Sequence, residues 1–140
     1  MKRALCLFLI VLTTITFSSC DEDDASDFFY VSLAVASVEL PPSFKVNETY
    51  QINVTYQRPN ECTYFEGFDV AKLDTTARDV VVVGSTFPND GSCAEISEEF
   101  NVSFNFLVLY TDTYVFRFWT GENENGESEY LEIEVPVTTE

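Results

Sequence analysis

Tyr50-Gln-Ile-Asn-Val-Thr-Tyr56 is the stretch that decides the fold, because apolar and polar side chains alternate along it without a break. Successive side chains of a β-strand point to opposite faces of the sheet, so this period of two predicts a strand with one buried and one exposed face. The side chains of Tyr50, Ile52, Val54 and Tyr56 are expected to face the core. The stretch therefore predicts a sheet that has another layer packed on one side.

Six further runs follow, most of them with a period of two: apolar residues recur at every second position in 31–35, 100–106, 114–118 and 131–137, whereas 62–71 is aromatic but less regular and 79–87 contains four consecutive valines. No window of a dozen residues has a helical period. Turn-forming residues separate the runs at 41–42, 58–60, 88–91 and 121–126. Seven short strands with such turns predict an all-β, seven-stranded antiparallel β-sandwich. The predicted strands lie at residues 31–35, 50–56, 62–71, 79–87, 100–106, 114–118 and 131–137.

The segment Asp112-Thr-Tyr-Val-Phe116 resembles the tyrosine corner of immunoglobulin-like domains, in which a buried Tyr begins a late strand. The resemblance implies an immunoglobulin-like β-sandwich over residues 28–140. Phe116 stands where an antibody domain has its second cysteine, so the disulfide of the antibody core is not expected here.

The N-terminal segment has the three parts of a bacterial signal peptide: Lys2 and Arg3, an apolar run over residues 4–15, and a small-residue exit. Ser18-Ser19-Cys20 resembles the lipobox of bacterial lipoproteins, and the acidic residues 21–24 resemble the surface-export signal of Bacteroidota lipoproteins. The resemblance implies a signal peptide over residues 1–19, lipidation of Cys20, and a flexible acidic tether over 20–27. We therefore expect a lipid anchor in the outer membrane and a surface-exposed domain.

Two cysteines are left once Cys6 in the apolar run and the lipid-bearing Cys20 are set aside. Beyond the inner membrane the environment is oxidising, so we expect Cys62 and Cys93 to form a disulfide. A zinc or redox site is the alternative, but the chain has neither a CxxC motif nor a histidine.

Composition narrows the function classes. The chain has 24 acidic and 7 basic residues and a formal net charge of −17, so we expect no nucleic-acid partner. With no histidine the commonest general base is absent, and the acidic residues are scattered, so we predict no enzymatic activity, no cofactor and no metal site. Calcium binding by the polar turns 89–90 and 122–125 is the alternative, although their spacing matches no known calcium loop.

The sixth predicted strand supplies the candidate binding face. If Tyr114, Phe116 and Phe118 point inward, Arg117 and Trp119 point outward, and Tyr130 on the next strand joins them. Such a group is suited to stacking on a sugar ring or to a protein contact. The alternative is a purely structural cross-strand pair between Arg117 and Glu132.

We therefore predict a non-enzymatic binding or adhesion module with a glycan or protein ligand. The other function considered is an accessory or structural subunit of an envelope complex that takes up glycan nutrients.

Overall fold

The computed structural model of the protein describes residues 28–87 and 93–138. The predicted signal peptide, Cys20, the tether and the turn at residues 88–91 lie outside these ranges. The all-β prediction is confirmed, since the described residues contain strands and turns but no helix. The strands are β1 (Phe29–Leu33), β2 (Val35–Glu39), β3 (Phe44–Lys45), β4 (Thr49–Asn60), β5 (Thr63–Lys72), β6 (Ala77–Thr86), β7 (Glu95–Leu107), β8 (Tyr114–Glu122), β9 (Ser128–Val135) and β10 (Val137–Thr138).

The largest sheet, here called sheet A, is built around β6. One edge of β6 pairs with β5 along its whole length. The other edge is shared by two strands: β1 pairs antiparallel with the second half of β6, and β8 pairs parallel with its first half. β9 then completes the sheet as the antiparallel neighbour of β8.

A second sheet, here called sheet B, contains β2, β4 and β7 in that order, and both pairings are antiparallel. The two-residue strands β3 and β10 form a small parallel sheet. Asn47 turns the chain from β3 into β4 with a φ of 66°, a left-handed conformation that Asn tolerates better than most residues.

The core lies between sheets A and B, as the alternation in the sequence predicts. Phe106 of sheet B and Phe116 of sheet A meet with ring centroids 5.0 Å apart in an edge-to-face contact. Ile52, Val54 and Tyr56 are buried on the face of β4 that was expected to be apolar. The other fully buried side chains of the core include Leu33, Phe44, Val80, Val82, Val108, Tyr114, Phe116 and Phe118.

Tyr114 occupies the position expected of a tyrosine corner. Its side chain is fully buried, and its hydroxyl oxygen accepts the backbone N–H groups of Leu109 and Tyr110, each at 3.1 Å. The hydroxyl thus joins the start of β8 to the chain that leads into it.

The predicted number of seven strands is wrong, because the described residues form ten. The first predicted strand changes sheets at Ala34 and becomes β1 and β2, and the last is interrupted at Pro136, whose carbonyl oxygen accepts the Phe44 N–H at 2.9 Å. β3 has only two residues, too few to show a period. The fully antiparallel arrangement is also wrong, since β6 pairs parallel with β8 and β3 pairs parallel with β10.

The predicted disulfide between Cys62 and Cys93 is confirmed. The two Cα atoms are 5.6 Å apart, and the bond joins residues separated by 31 positions. Cys62 lies in the turn between β4 and β5, and Cys93 lies two residues before β7. The bond therefore ties the start of sheet B's edge strand to the start of sheet A's edge strand.

Candidate functional site

The structure brings the three predicted face residues together on the outer side of sheet A. Arg117 and Trp119 alternate along β8 with the buried Phe116 and Phe118, so they point away from the core. Trp119 is the cross-strand partner of Tyr130 on β9. All three side chains are half-buried, and together they define what we call the β8–β9 face.

Arg117 is held by three contacts. Its guanidinium carbon lies 4.3 Å from the centroid of the Tyr130 ring, within the range of a cation–π interaction. Nη1 lies 3.4 Å from Oδ1 of Asp79 on β6, and Nε lies 4.0 Å from Oε2 of Glu132 on β9. The cross-strand pair between Arg117 and Glu132, which the sequence suggested as a structural alternative, is therefore present. Asp79 on the other side of Arg117 extends it into a row of three charges.

Asp79 explains why Arg117 is needed in this row. Its Oδ1 is buried and accepts no hydrogen bond from the protein. A buried carboxylate oxygen without a donor is costly, so the nearby guanidinium is its main compensation. Arg117 thus has a structural function whether or not the face binds a ligand.

Trp119 also borders a cleft of about 200 Å³ at the place where the chain crosses from β1 to β2. Sheet B contributes to the lining of this cleft, in part through Pro59 of β4 and Ile96 of β7. This volume is smaller than the several hundred Å³ typical of drug-sized ligands, so the cleft suits one ring or one side chain. The remaining lining residues are Ser32, Leu33, Ala34, Gln57, Arg58 and Ser97.

Arg58 forms a fixed part of the cleft wall. Nε donates to the carbonyl oxygen of Asn60 at 3.1 Å, and Nη2 donates to the carbonyl oxygen of Glu61. The guanidinium carbon also lies 5.4 Å from the Tyr64 ring and 5.6 Å from the Phe100 ring. These contacts leave a half-buried cation beside a mainly apolar cleft.

The calcium alternative gains no support from the turn between β8 and β9. Oδ1 of Asn123, one of the proposed ligand oxygens, already accepts the backbone N–H groups of Asn125 and Glu127 at 2.9 and 3.0 Å. No group of three or more His, Cys, Asp or Glu side chains within residues 28–87 and 93–138 is arranged to hold a metal ion. Residues 89–90 lie outside the described ranges.

Sequence reasoning missed an exposed group of aromatic residues at the start of the described chain. Phe28 contacts Tyr30 and Phe87 at centroid distances of 5.2 and 5.9 Å, and Phe87 contacts Tyr64 at 5.9 Å. The consecutive aromatic residues 28–30 were a signal for this group, because a half-buried strand cannot bury three neighbouring side chains. The lining of the cleft left no such local signal.

Comparisons of the chain with protein-family models, with curated proteins and with solved structures returned no match. In the part of the chain that the structure describes, no helix has the length and apolar character needed to cross a membrane.

Proposed function

We propose that the protein is a lipid-anchored lipoprotein of the bacterial outer membrane whose surface-exposed domain binds a glycan or protein ligand without catalysis. The observation that carries the binding proposal is the β8–β9 face, where Trp119 and Tyr130 are cross-strand partners beside a small cleft. Aromatic side chains with an apolar ring and a polar edge suit both sugar rings and protein contacts.

We further propose that the domain is an immunoglobulin-like β-sandwich. Two observations support this: the buried Tyr114 hydroxyl accepts two upstream backbone N–H groups, and the two larger sheets share one core. The parallel pairing of β6 with β8 departs from the usual immunoglobulin order. The proposal is therefore one of general architecture and includes a rearranged strand in sheet A.

The arrangement of the face favours binding because its side chains are already held in place before a ligand binds. Arg117 is fixed by Asp79, Glu132 and the Tyr130 ring, so the Tyr130 side chain is already restrained before a ligand arrives. Restraint of this kind lowers the entropic cost of association. The net charge of −17 disfavours anionic ligands, so a neutral glycan or a protein with a basic surface fits best.

The lipid anchor is supported by the sequence around Cys20, which precedes the described residues by a short acidic segment. Mass spectrometry of the native protein tests it: we expect an acylated Cys20 as the first residue. A Cys20→Ala variant should leave the membrane fraction. An unmodified N-terminus at Cys20 or beyond would contradict the anchor, without bearing on the β8–β9 face.

The ligand is best sought with a glycan array and with a pull-down from envelope extract, each using the wild-type protein and Trp119→Ala. We expect Trp119→Ala to reduce binding at least tenfold, equivalent to about 1.4 kcal/mol. Tyr110→Ala is the matched control, because Tyr110 is a partly exposed aromatic residue in the loop between β7 and β8, away from the β8–β9 hairpin. Equal binding by wild type and Trp119→Ala would contradict the proposed face, and specific capture of a transporter would support the accessory function instead.

A further inference from the structure

β7 (Glu95–Leu107) is a 13-residue strand at the edge of sheet B. Among the described residues it pairs only with β4, which covers one of its two edges along nearly the whole length. The opposite edge therefore presents a row of backbone donors and acceptors that have no strand partner in the described part of the chain. Such an edge is a template for pairing with another chain.

The backbone groups on this free edge can be assigned from two hydrogen bonds. The Val108 N–H donates to the carbonyl oxygen of Glu48 at 3.0 Å, so Val108 faces the β4 side. The backbone N–H and C=O groups of successive residues in a strand point to opposite edges. Since those of Val108 point to β4, those of Asn101, Ser103 and Asn105 point to the free edge. The second hydrogen bond agrees with this assignment. The Gln57 N–H donates to the Ala34 carbonyl oxygen, so the backbone groups of odd-numbered residues of β4 point away from β7 and those of even-numbered ones point toward it.

The free edge of β7 lacks the usual protection against pairing. Residues 100–107 include no charged residue, no Pro and no Gly. Three other edge strands carry such protection: β5 has a bulge between Phe65 and Gly67, β2 is five residues long with a bulge of its own, and β9 carries Glu at three positions. β1, which also ends a sheet, is uncharged but only five residues long, so it offers a much shorter edge than β7. Bulges, short length and charge are the features that normally prevent edge pairing.

The core is also partly open along this side of the molecule. Phe68 on β5 and Phe104 on β7 meet at 4.8 Å between ring centroids, so the two edge strands run along the same side. Phe65 and Val70 of β5 are in register with Gly84 and the buried Val80, which places them on the core face. Each is nevertheless 37% exposed. A strand added to β7 would cover these core-facing side chains with its own.

Charge selects the kind of strand that fits. Glu95, Glu98 and Glu99 are exposed at the start of β7, whereas the rest of the strand is uncharged. A second copy of this chain carries a formal charge of −17, so pairing between copies brings like charges together. A strand with basic residues opposite the Glu residues meets no such penalty.

We propose that the free edge of β7 binds an extended strand of another protein, with alternating apolar residues opposite 100–107 and Lys or Arg opposite 95–99. Main-chain hydrogen bonds from Asn101, Ser103 and Asn105 supply the pairing, and the incoming apolar side chains complete the core beside Phe65 and Val70. This site uses the free edge of β7 rather than the side chains of the β8–β9 face, and among the described residues the two meet only at Ile96 and Ser97, which line the cleft beside Trp119. The proposal does not depend on the lipid anchor.

The test uses the purified protein and a labelled nine-residue peptide that alternates valine with threonine and ends in two lysines. In the antiparallel arrangement the C-terminal lysines lie opposite the Glu residues of β7. We expect saturable binding by fluorescence anisotropy, weakened more than about tenfold when the peptide amides that pair with β7 are N-methylated. A peptide ending in two glutamates should bind less well, with a difference that shrinks as salt is added.

Variants of the protein locate the site. Asn105→Pro removes an outward N–H at an edge position where proline is tolerated, and we expect binding to weaken about fivefold or more. Asn105→Ala keeps the N–H and should bind like the wild type. Thermal melts confirm that both variants are folded.

Three results would overturn the proposal. The first is the absence of peptide binding, and the second is equal binding by the N-methylated peptide or by Asn105→Pro. The third is self-association in sedimentation that Asn105→Pro abolishes, because it would assign the edge to a second copy of this chain.

Discussion

Arg117 Nη1 lies 3.4 Å from Oδ1 of Asp79, a buried oxygen that accepts no hydrogen bond from the protein. The two residues are register partners on the parallel strands β6 and β8. The ion pair therefore sits across the one pairing in sheet A that breaks the antiparallel pattern, and it connects that pairing to the β8–β9 face.

Replacing Arg117 by Met should lower the free energy of unfolding by about 1 kcal/mol, because Asp79 loses its counter-charge while the partly exposed position limits the effect. The double variant Asp79→Asn/Arg117→Met should lose less than the sum of the two single variants. Urea unfolding of the wild type and the three variants measures this coupling. Strictly additive losses would show that the pair contributes nothing to stability.

Tyr114→Phe should destabilise the protein by about 1–2 kcal/mol, because the backbone N–H groups of Leu109 and Tyr110 lose their acceptor. Tyr30→Phe, at an exposed position, is the control and should change stability by less than about 0.5 kcal/mol. Thermal or urea unfolding measures both. A neutral Tyr114→Phe variant would remove the argument that this hydroxyl fixes the start of β8.

Gly84→Ala should destabilise the protein by about 1–3 kcal/mol, because the new Cβ would lie 2.8 Å from both Leu33 Cδ1 and the Tyr64 carbonyl oxygen. Gly67→Ala on the neighbouring strand is the matched control. Its Cβ would have no atom within 4 Å, and its stability should be unchanged or raised by up to about 1 kcal/mol. Equal unfolding midpoints for the two variants would contradict the close packing of β1 against β6.

Reduction of the disulfide should lower the free energy of unfolding by roughly 3–4 kcal/mol, since the bond closes a loop between residues 31 positions apart. Urea unfolding with and without reductant measures the loss. The Cys62→Ala/Cys93→Ala variant should start from the lower stability and show no response to reductant. If reductant still lowered the stability of this variant, the loss could not be assigned to the Cys62–Cys93 bond.

Stability should fall above pH 10, in part because burial raises the pKa of Tyr56 above its ordinary value of 10.0. The unfolded chain then ionises this phenol first, so its contribution is complete below about pH 10 and is lost as pH rises through the folded pKa. Tyr56→Phe should make the decline between pH 9 and 11 shallower in urea unfolding. Identical slopes for the two proteins would exclude Tyr56 as a contributor.

Most of the strand pattern could be predicted, because the rule is local. In β4 polar and apolar residues alternate, and in β8 an aromatic core residue stands at every second position from Tyr114 to Phe118. In both strands the residues predicted to face the core are less exposed than their neighbours. The switch between sheets at Ala34 left no trace, since no Gly or Pro marks it and the period of Val31, Leu33 and Val35 runs straight across it. The parallel pairing of β6 with β8 depends on contacts between distant residues, which local alternation cannot encode.

The candidate site likewise has features that local alternation predicts and features that depend on residues distant in the sequence. The outward direction of Arg117 and Trp119 follows from the alternation within one strand, and their meeting with Tyr130 follows from a hairpin. The cleft was not predictable, because Pro59 and Ile96, which line it together with Trp119, belong to the other sheet. The buried oxygen of Asp79 was missed because Asp79 is the first residue of a predicted strand whose main feature was four consecutive valines.

The Cys62–Cys93 bond also sets how the domain can respond to mechanical load. A pull on the two ends of the chain cannot lengthen the part enclosed by the bond, which spans 31 positions and would otherwise extend by roughly 100 Å. The enclosed part holds β5 and β6 together with their pairing. The centre of sheet A is therefore shielded from direct tension, and force acts first on the strands outside the bond.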